Sequence, residues 1–362
     1  MSGLSRVLRV FFALCAVAVL VASAVLAFGL YSANSLVSKV QTAELPDPSP
    51  SVSPSVVRDP VVSLSAPAPG PGGLDILLIG SDSRSDTPGR YGVDDGTARA
   101  DTTMLLHLGQ DYSFAHILSI PRDLVVDMPS DSKFCPGLPS VDRFNAAFAY
   151  GGPSCTVLAV RKLTGIQPDH MVVVDFVGFA NVVDALGGMK VCLTRPVVDS
   201  DSDLDLPAGS QRINGRQTLA LFRARKSLAD GSDLARTRRQ QWLLTQLAAQ
   251  VRAKVDPTDP TQAYDLLSAV ASDMTVDPDL ASFSAMSSLS VQLSRVDLGS
   301  VTSTTFPNVP NPADPYNTVV PGDASALLDA LSSDQPPPRR TSSKTSGKAP
   351  ADADGLFCKV SS

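Results

Sequence analysis

Leu74 to Gly80 read LDILLIG, Thr102 to Leu108 read TTMLLHL and Phe114 to Ile120 read FAHILSI. Each is a short apolar run bounded by Gly, Asp or Pro, the pattern of a buried strand. Beyond them, Ser154 to Thr164 and Val177 to Leu186 carry apolar residues at helical spacing, and HMVVVD from His170 to Asp175 reads as a strand between the two helices. Met189 to Leu193 (MKVCL) predicts another strand, and Leu206 to Ile213 (LPAGSQRI) a hairpin. Helices are predicted at Gly215 to Ala224 and at Asp233 to Lys254, the latter capped by Asp233. Helical spacing returns at Thr261 to Ser272 and Leu280 to Ser288, followed by a strand at Val291 to Leu298. Strands that alternate with helices predict an α/β sandwich with a largely buried central sheet.

Outside this region the chain changes character. No charge occurs between Arg9 and Lys39, and residues 10–30 are apolar and long enough to cross a bilayer as a helix, which needs about 20 residues. Arg6 and Arg9 precede that span. The cytoplasmic bias of Lys and Arg therefore places residues 1–9 inside and the rest of the chain on the outer side of the cell membrane, as a single-pass protein. A cleaved signal peptide is the alternative, with Ala22-Ser23-Ala24 or Val25-Leu26-Ala27 at the cleavage site, but the run exceeds the ~7 to 15 residues of a signal core. Residues 31–73 read as a Pro/Ser-rich linker in which proline fixes φ and removes donors. Residues 335–362, with PPPRRTSSKTSGKAPADADG, read as a disordered tail. A domain outside the membrane can hold disulfides. Cys135 and Cys155 flank a loop that runs into a helix start and form the favoured pair; the alternative is that Cys135, Cys155, Cys192 and Cys358 are all thiols, and Cys358 falls in the tail.

The 362 residues carry 30 Lys+Arg against 36 Asp+Glu, a formal charge of -6, which excludes a generally basic nucleic-acid coat. With three His and five Cys, the chain is poorly supplied for zinc clusters or Ser-His-Asp triads. The average conceals a local inversion. From Gly215 to Gln241 there are seven Lys or Arg and two Asp, a local charge of +5.

Polar residues at the strand ends give this charge a partner. Gly80-Ser81-Asp82-Ser83-Arg84 closes the first strand, Arg99-Ala100-Asp101-Thr102 opens the second, and Ile120-Pro121-Arg122-Asp123 closes the third. Arg223, Arg225 and Lys226 end one helix, while Arg236, Arg239 and Gln240 share one face of the next, at i, i+3 and i+4. Guanidinium suits bidentate phosphate contact, and a helix N-terminus adds amide donors. Asp82 and Asp101 are hard-oxygen donors of the kind Mg²⁺ takes alongside waters and substrate phosphates. The bland alternatives are a solvated, salt-bridged helix for the arginines and turn or cap roles for the aspartates.

The segments DILLIGSDSR, RADTTMLLHL, ILSIPRDL, RFNAAFAYGG, HMVVVDFVGFANVVDALGG and LPAGSQRINGRQTLALFRARKSLADGSDLARTRRQQ, in this order and spacing, resemble the LytR-CpsA-Psr family. The resemblance implies a three-layer α-β-α sandwich with a central mixed sheet, preceded by one transmembrane helix. It makes 74–252 the catalytic domain, and FPNVPNPADPYNTVVP looks like the extension of actinobacterial members, here 253–334, packed on that domain. The activity implied is a phosphotransferase that moves a glycopolymer from a polyprenyl diphosphate carrier to a peptidoglycan hydroxyl, with polyprenyl pyrophosphatase as a side activity. By motif, Asp82 and Asp101 hold Mg²⁺, or Mn²⁺ in its place, and Arg99, Arg122, Arg223, Arg225, Arg236, Arg239 and Gln240 hold the diphosphate. Arg99, Asp101, Arg122, Arg223 and Arg225 form the catalytic set, Asp101 being either base or metal ligand, and Asp123 orients Arg122. Arg143 stands where the family commonly has Lys. Phe176, Phe179, Val182, Val183 and Leu186 are either a groove for the carrier lipid or ordinary core.

Other signals are weaker. Asp199-Ser200-Asp201-Ser202-Asp203 mimics a calcium loop, but Leu204 and Ser210 occupy its glycine and glutamate positions, so it reads as a solvated turn. No G-x-x-x-x-G-K phosphate loop is present, and the three histidines are scattered on strands as structural residues. The competing function is a non-catalytic membrane-bound binder of anionic wall polymer, or a transcriptional regulator with the Arg-rich helix on DNA; the preferred reading has no nucleic-acid partner.

Overall fold

Odd and even residues of a single strand build the two sides of this fold. In β2 (Leu74–Ser81), Leu77 and Ile79 enter one apolar cluster while Leu74 and Ile76 enter another, as the two-residue period of a strand requires. The computed structural model describes residues 39–47, 72–81, 99–200, 202–224, part of 239–253, 271–296, 300–314, 318–338 and 355–358. The expected membrane span at 10–30 lies outside them; among the described residues no helix is long and apolar enough to cross a membrane.

The central sheet comprises β1 (Gln41–Thr42), β2, β3 (Ala100–Leu108), β4 (Ala115–Ile120), β5 (His170–Asp175), β6 (Met274–Val276) and β7 (Val301–Thr305). Their spatial order is β1-β6-β5-β2-β3-β4-β7. β2 runs antiparallel to β3 and parallel to β5, β4 is antiparallel to β3, and β7 joins β4 in parallel, so the sheet is mixed. The main described helices are α1 (Ala146–Thr164), α2 (Phe176–Ala185), α3 (Gly215–Arg223), α4 (Phe283–Arg295) and α5 (Ser325–Ser332), with further helical residues among 239–253. α1 lays Val157, Leu158 and Val160 against Leu77, Leu105, Leu118 and Met171, and α5 adds Leu331 to the same cluster. α4 serves the opposite face through Leu289, beside Ile76 and Leu108. The sheet is thus covered on both faces, as its apolar strands demand.

α1 begins earlier than its apolar spacing suggests, as two helical pieces across a kink at Gly151 and Gly152. A Cβ at Gly151 would stand 1.7 Å from the Phe134 carbonyl oxygen, so only glycine lets the chain pass there. The Cys135–Cys155 disulfide closes beside the kink, with a Cα–Cα distance of 5.2 Å, as the sequence favoured.

Four expectations need correction. The hairpin at 206–213 does not pair with itself: Gly209–Ile213 pairs with Met189–Leu193, and Leu204–Leu206 with Val197–Asp199. Of the predicted strand at 291–298, residues 291–295 are instead the end of α4, because Met286, Leu289 and Val296 recur at helical spacing on the apolar clusters and override the local alternation; residues 297 and 298 lie outside the described residues. The linker expected over 31–73 contains folded residues, since Val40 is buried, Ala43 and Leu45 pack on the core, and β1 pairs with β6. Cys358 is no tail thiol: it is bonded to Cys192, while Leu356 and Phe357 enter an apolar cluster with Val191, Leu221 and Trp242. The helix expected at 261–272 lies outside the described residues except for its last two positions, which fall in the turn Ala271–Asp273.

Candidate active site

The register of β3 and β4 carries the first pair of site residues to each other. Thr103 pairs with Ile120, so two residues further along the ladder Asp101 and Arg122 come face to face. Arg122 Nη1 donates to Asp101 Oδ1 at 2.6 Å, a charge-assisted bond at the short end of its range. The side chains remain 21% and 26% exposed, so the pair is open to an incoming group. β2 and β5 end at the same edge, where Ser81 pairs with Ala100 and with Asp175. Arg99 is exposed immediately before β3.

Asp123 sits behind Arg122. It is 8% exposed, with one oxygen 3.4 Å from Arg122 Nε and the other 3.4 Å from Arg143 Nη1. The orienting role expected of Asp123 has this geometry, and Arg143 is tied to the edge through the same carboxylate. The Asp123 carbonyl accepts from Val319 N–H, so the C-terminal extension is stitched to this loop.

Helix packing delivers the next group. Asp175 caps α2 by accepting from Gly178 N–H, while Asn214 and Gln217 form a capping box on α3. A Cβ at Gly215 would lie 2.1 Å from the Ala180 carbonyl oxygen, so glycine allows α3 to start against α2. The two helices then place Arg223, at the last turn of α3, over the Phe176 ring, with the guanidinium carbon 4.7 Å from its centroid. Arg239 is buried and donates through Nη2 to the Ala224 carbonyl at the C-cap of α3. Gln240 accepts from Thr102 Oγ1 at 3.4 Å and donates to the Phe222 carbonyl at 3.5 Å, linking its helix to β3 and α3. Asp82, Arg225 and Arg236 lie outside the described residues. The contact of Thr102 with Gln240 and the cation-holding role of Phe176 were missed by sequence reasoning; a polar residue directly after Asp101 at the start of an otherwise largely apolar strand was the available signal for the first. Phe176, Val183 and Leu186 are buried core, and Phe179 is half-buried with its ring 5.2 Å from that of Phe222.

The histidines lie elsewhere and have structural partners. His107 is held between Asp75 (3.0 Å) and Asp334 (3.1 Å); burial opposes its charge, but those carboxylates outweigh it and raise its pKa. His116 bonds Thr302 and Thr304, and burial, aided by the charge of His107, lowers its pKa to about 4. His170 meets Asp277 at 3.3 Å, which raises its pKa against the effect of burial. Among the described residues no group of three or more His, Cys, Asp or Glu is arranged to hold a metal. Asp199 is buried in its turn and accepts from Ser202 N–H.

Among the described residues, the edge of this mixed sheet brings Arg122 to Asp101 and Arg143 to Asp123, with Arg99 exposed immediately before β3, an arrangement of the kind that can receive an anion. The chain matches the LytR_cpsA_psr family over residues 30–331 and belongs to it. It is 32% identical over 210 residues to the probable cell wall biosynthesis protein LcpB of Corynebacterium glutamicum, covering 56% of this chain and 48% of that one. It is likewise 32% identical over 183 residues to the polyisoprenyl-teichoic acid–peptidoglycan teichoic acid transferase TagT of Bacillus subtilis, covering 49% and 52%. The chain spans about half the length of these curated relatives. Among solved structures, the LytR-Csp2A-Psr enzyme from Actinomyces oris superposes with a TM-score of 0.57 at 25% identity, over 81% of this chain and 96% of that one. The structure of Bacillus subtilis TagT shares the fold, with a TM-score of 0.53 at 22% identity over 82% and 99%.

Proposed function

We propose that the chain is a membrane-anchored, extracytoplasmic phosphotransferase that moves a glycopolymer from a polyprenyl diphosphate carrier to a hydroxyl of peptidoglycan. The observation that carries this reading is the open Arg122–Asp101 pair, at an edge where Arg99 is exposed immediately before β3, with Arg223 held over Phe176, the residue that follows β5. The name of the Bacillus relative describes a transfer of the same kind. Phosphoryl transfer asks a protein mainly for in-line positioning and charge neutralisation. Arg122 would turn from Asp101 to the nonbridging oxygens of the diphosphate, Asp123 holding its Nε side, and Arg223, braced on Phe176, would take a second set of oxygens. Arg99, Arg225, Arg236, Arg239 and Gln240 complete the cradle in this reading. The acceptor hydroxyl oxygen attacks the phosphorus that bears the glycan; the anhydride P–O bond breaks, polyprenyl monophosphate leaves, and the hydroxyl proton passes to solvent or to Asp101.

Carboxylate oxygens at a phosphate-binding edge fit Mg²⁺ or Mn²⁺, which take one or two carboxylates and fill their shells with waters and phosphates. Asp101 and Asp82 would hold it, and it would supply further neutralisation of the diphosphate. Water in place of the sugar hydroxyl would give the pyrophosphatase side activity. Anchoring by residues 10–30 keeps the site beside a lipid-borne donor, and the apolar wall of Phe179 and Phe222 is suited to its chain. Incubation of the purified protein with a polyprenyl diphosphate glycan and Mg²⁺ should release polyprenyl monophosphate. Wild-type release by Asp101→Ala and Arg122→Ala would sink the proposal.

A further inference from the structure

The last described residues, 355–358, form a built structure that the proposed chemistry has not used. Cys358 is bonded to Cys192 in the strand Met189–Leu193, and Cys358 N–H donates to the Cys192 carbonyl at 2.9 Å. Thr194 N–H donates to the Leu356 carbonyl at 2.8 Å, and Leu193 bridges to Phe357 in antiparallel fashion. The segment therefore lies as an added strand, locked at its end by a covalent bond. Between these fixings Phe357 stacks face to face on Trp242, with centroids 3.7 Å apart and planes 12° apart.

Trp242 is helical, as are Arg239 and Gln240, which stand three and two positions before it in the chain. All three are buried: Arg239 on the Ala224 carbonyl, Gln240 between Thr102 and Phe222, and Trp242 on Phe357. The first two contacts reach the site, whereas the third reaches a covalently fixed ring. A helix pinned on three sides has one rotation about its axis, and that rotation sets where Gln240 meets Thr102 and how Arg239 braces the end of α3 that carries Arg223.

We propose that segment 355–358 is a clasp, with Phe357 a positioning residue that acts through Trp242 to hold Arg239 and Gln240 in register with the diphosphate site. This inference rests on the diphosphate-binding reading of that site. A misplacement of about 1 Å at a reacting centre costs on the order of 100-fold in rate, so loss of one face of the tryptophan is felt beyond its local stability.

The test uses the whole purified chain and inorganic diphosphate with Mg²⁺ as the probe. Binding is followed by calorimetry and by emission of Trp242, the single tryptophan of the chain. Measured well below its melting temperature, Phe357→Ala should bind diphosphate at least about tenfold more weakly than wild type, and Phe357→Tyr, which keeps the stacked ring, should restore affinity to within about twofold. If Phe357→Ala does not fold, Phe357→Leu, which keeps apolar bulk without the ring, carries the same comparison. In a Gln240→Ala background the loss on removing Phe357 should be clearly smaller than in the wild-type background, because only the route through Arg239 remains. A variant with lowered melting temperature but wild-type affinity, or losses that simply add, would overturn the clasp while leaving the site intact. Absence of diphosphate binding by the wild type would overturn the functional reading and the clasp with it.

Discussion

The two ends of β2 and β3 use the same ingredients, aspartate against a cation, and arrive at opposite properties. At one end Arg122 meets Asp101 with both side chains about a quarter exposed. At the other, His107 is 1% exposed and is gripped on each ring nitrogen, by Asp75 from β2 and by Asp334 beyond α5. Asp334 also accepts from Gln110 N–H, so the grip ties the C-terminal extension to the end of β3. The difference lies in the cation and in its access to solvent. Guanidinium stays charged at any working pH and can exchange a carboxylate for a phosphate, whereas an imidazole enclosed by two carboxylates has no route to a ligand. In the proposed function the open pair serves as the site and the closed one as a fastening.

Removal of the closed cation has the largest expected effect. His107→Ala leaves Asp75 in its pocket without its partner and should cost about 3–5 kcal/mol of stability by chemical denaturation, with diphosphate turnover per folded molecule unchanged. Loss of turnover at intact stability would make the closed end functional after all. The converse change, Arg122→Ala, should lower turnover about 10²- to 10³-fold, roughly 3–4 kcal/mol, with a melting temperature close to wild type.

A smaller effect concerns pH. His116 pairs across the strands with His107, and its folded pKa of about 4 lies below its ordinary 6.5. Between those values the unfolded chain binds a proton that the native one refuses, so stability falls as pH drops from about 6.5 to about 4, by up to roughly 3 kcal/mol. His107 and His170 have the opposite sign, because their raised values give stability that is present below pH 6.5 and lost as pH rises through the folded pKa. Melting curves against pH should therefore show a dome, and His116→Gln should flatten its acid limb alone. The smallest effect is expected at Lys133–Glu44, where both partners are more than half exposed; Lys133→Ala should change stability by less than about 1 kcal/mol.

What was legible in the sequence follows the same division. β2 to β5 could be read almost to the residue because strands buried on both faces are continuous apolar runs. Asp101 and Arg122 were legible as strand-end residues, and two antiparallel neighbours necessarily bring such ends together. The Cys192–Cys358 bond was not legible, since 166 residues separate its halves and the intervening composition points to an unpacked tail. The end of α4 was misread because Val291 and Leu293 alternate with polar residues, although Leu289 and Val296 decide the matter through contacts with distant strands. The two arms that grip His107 come from positions 32 residues before it and 227 after it, beyond any local pattern.

In the proposed function the open edge joins a glycan phosphate to a second hydroxyl. Phosphorus NMR of the polymer product, after reaction of a polyprenyl diphosphate glycan with peptidoglycan fragments and Mg²⁺, tests it most directly. A new phosphodiester resonance is expected on the peptidoglycan fraction, matched by released polyprenyl monophosphate and absent with Arg122→Ala. Donor bound tightly by the wild-type protein, with no diester formed, would contradict it.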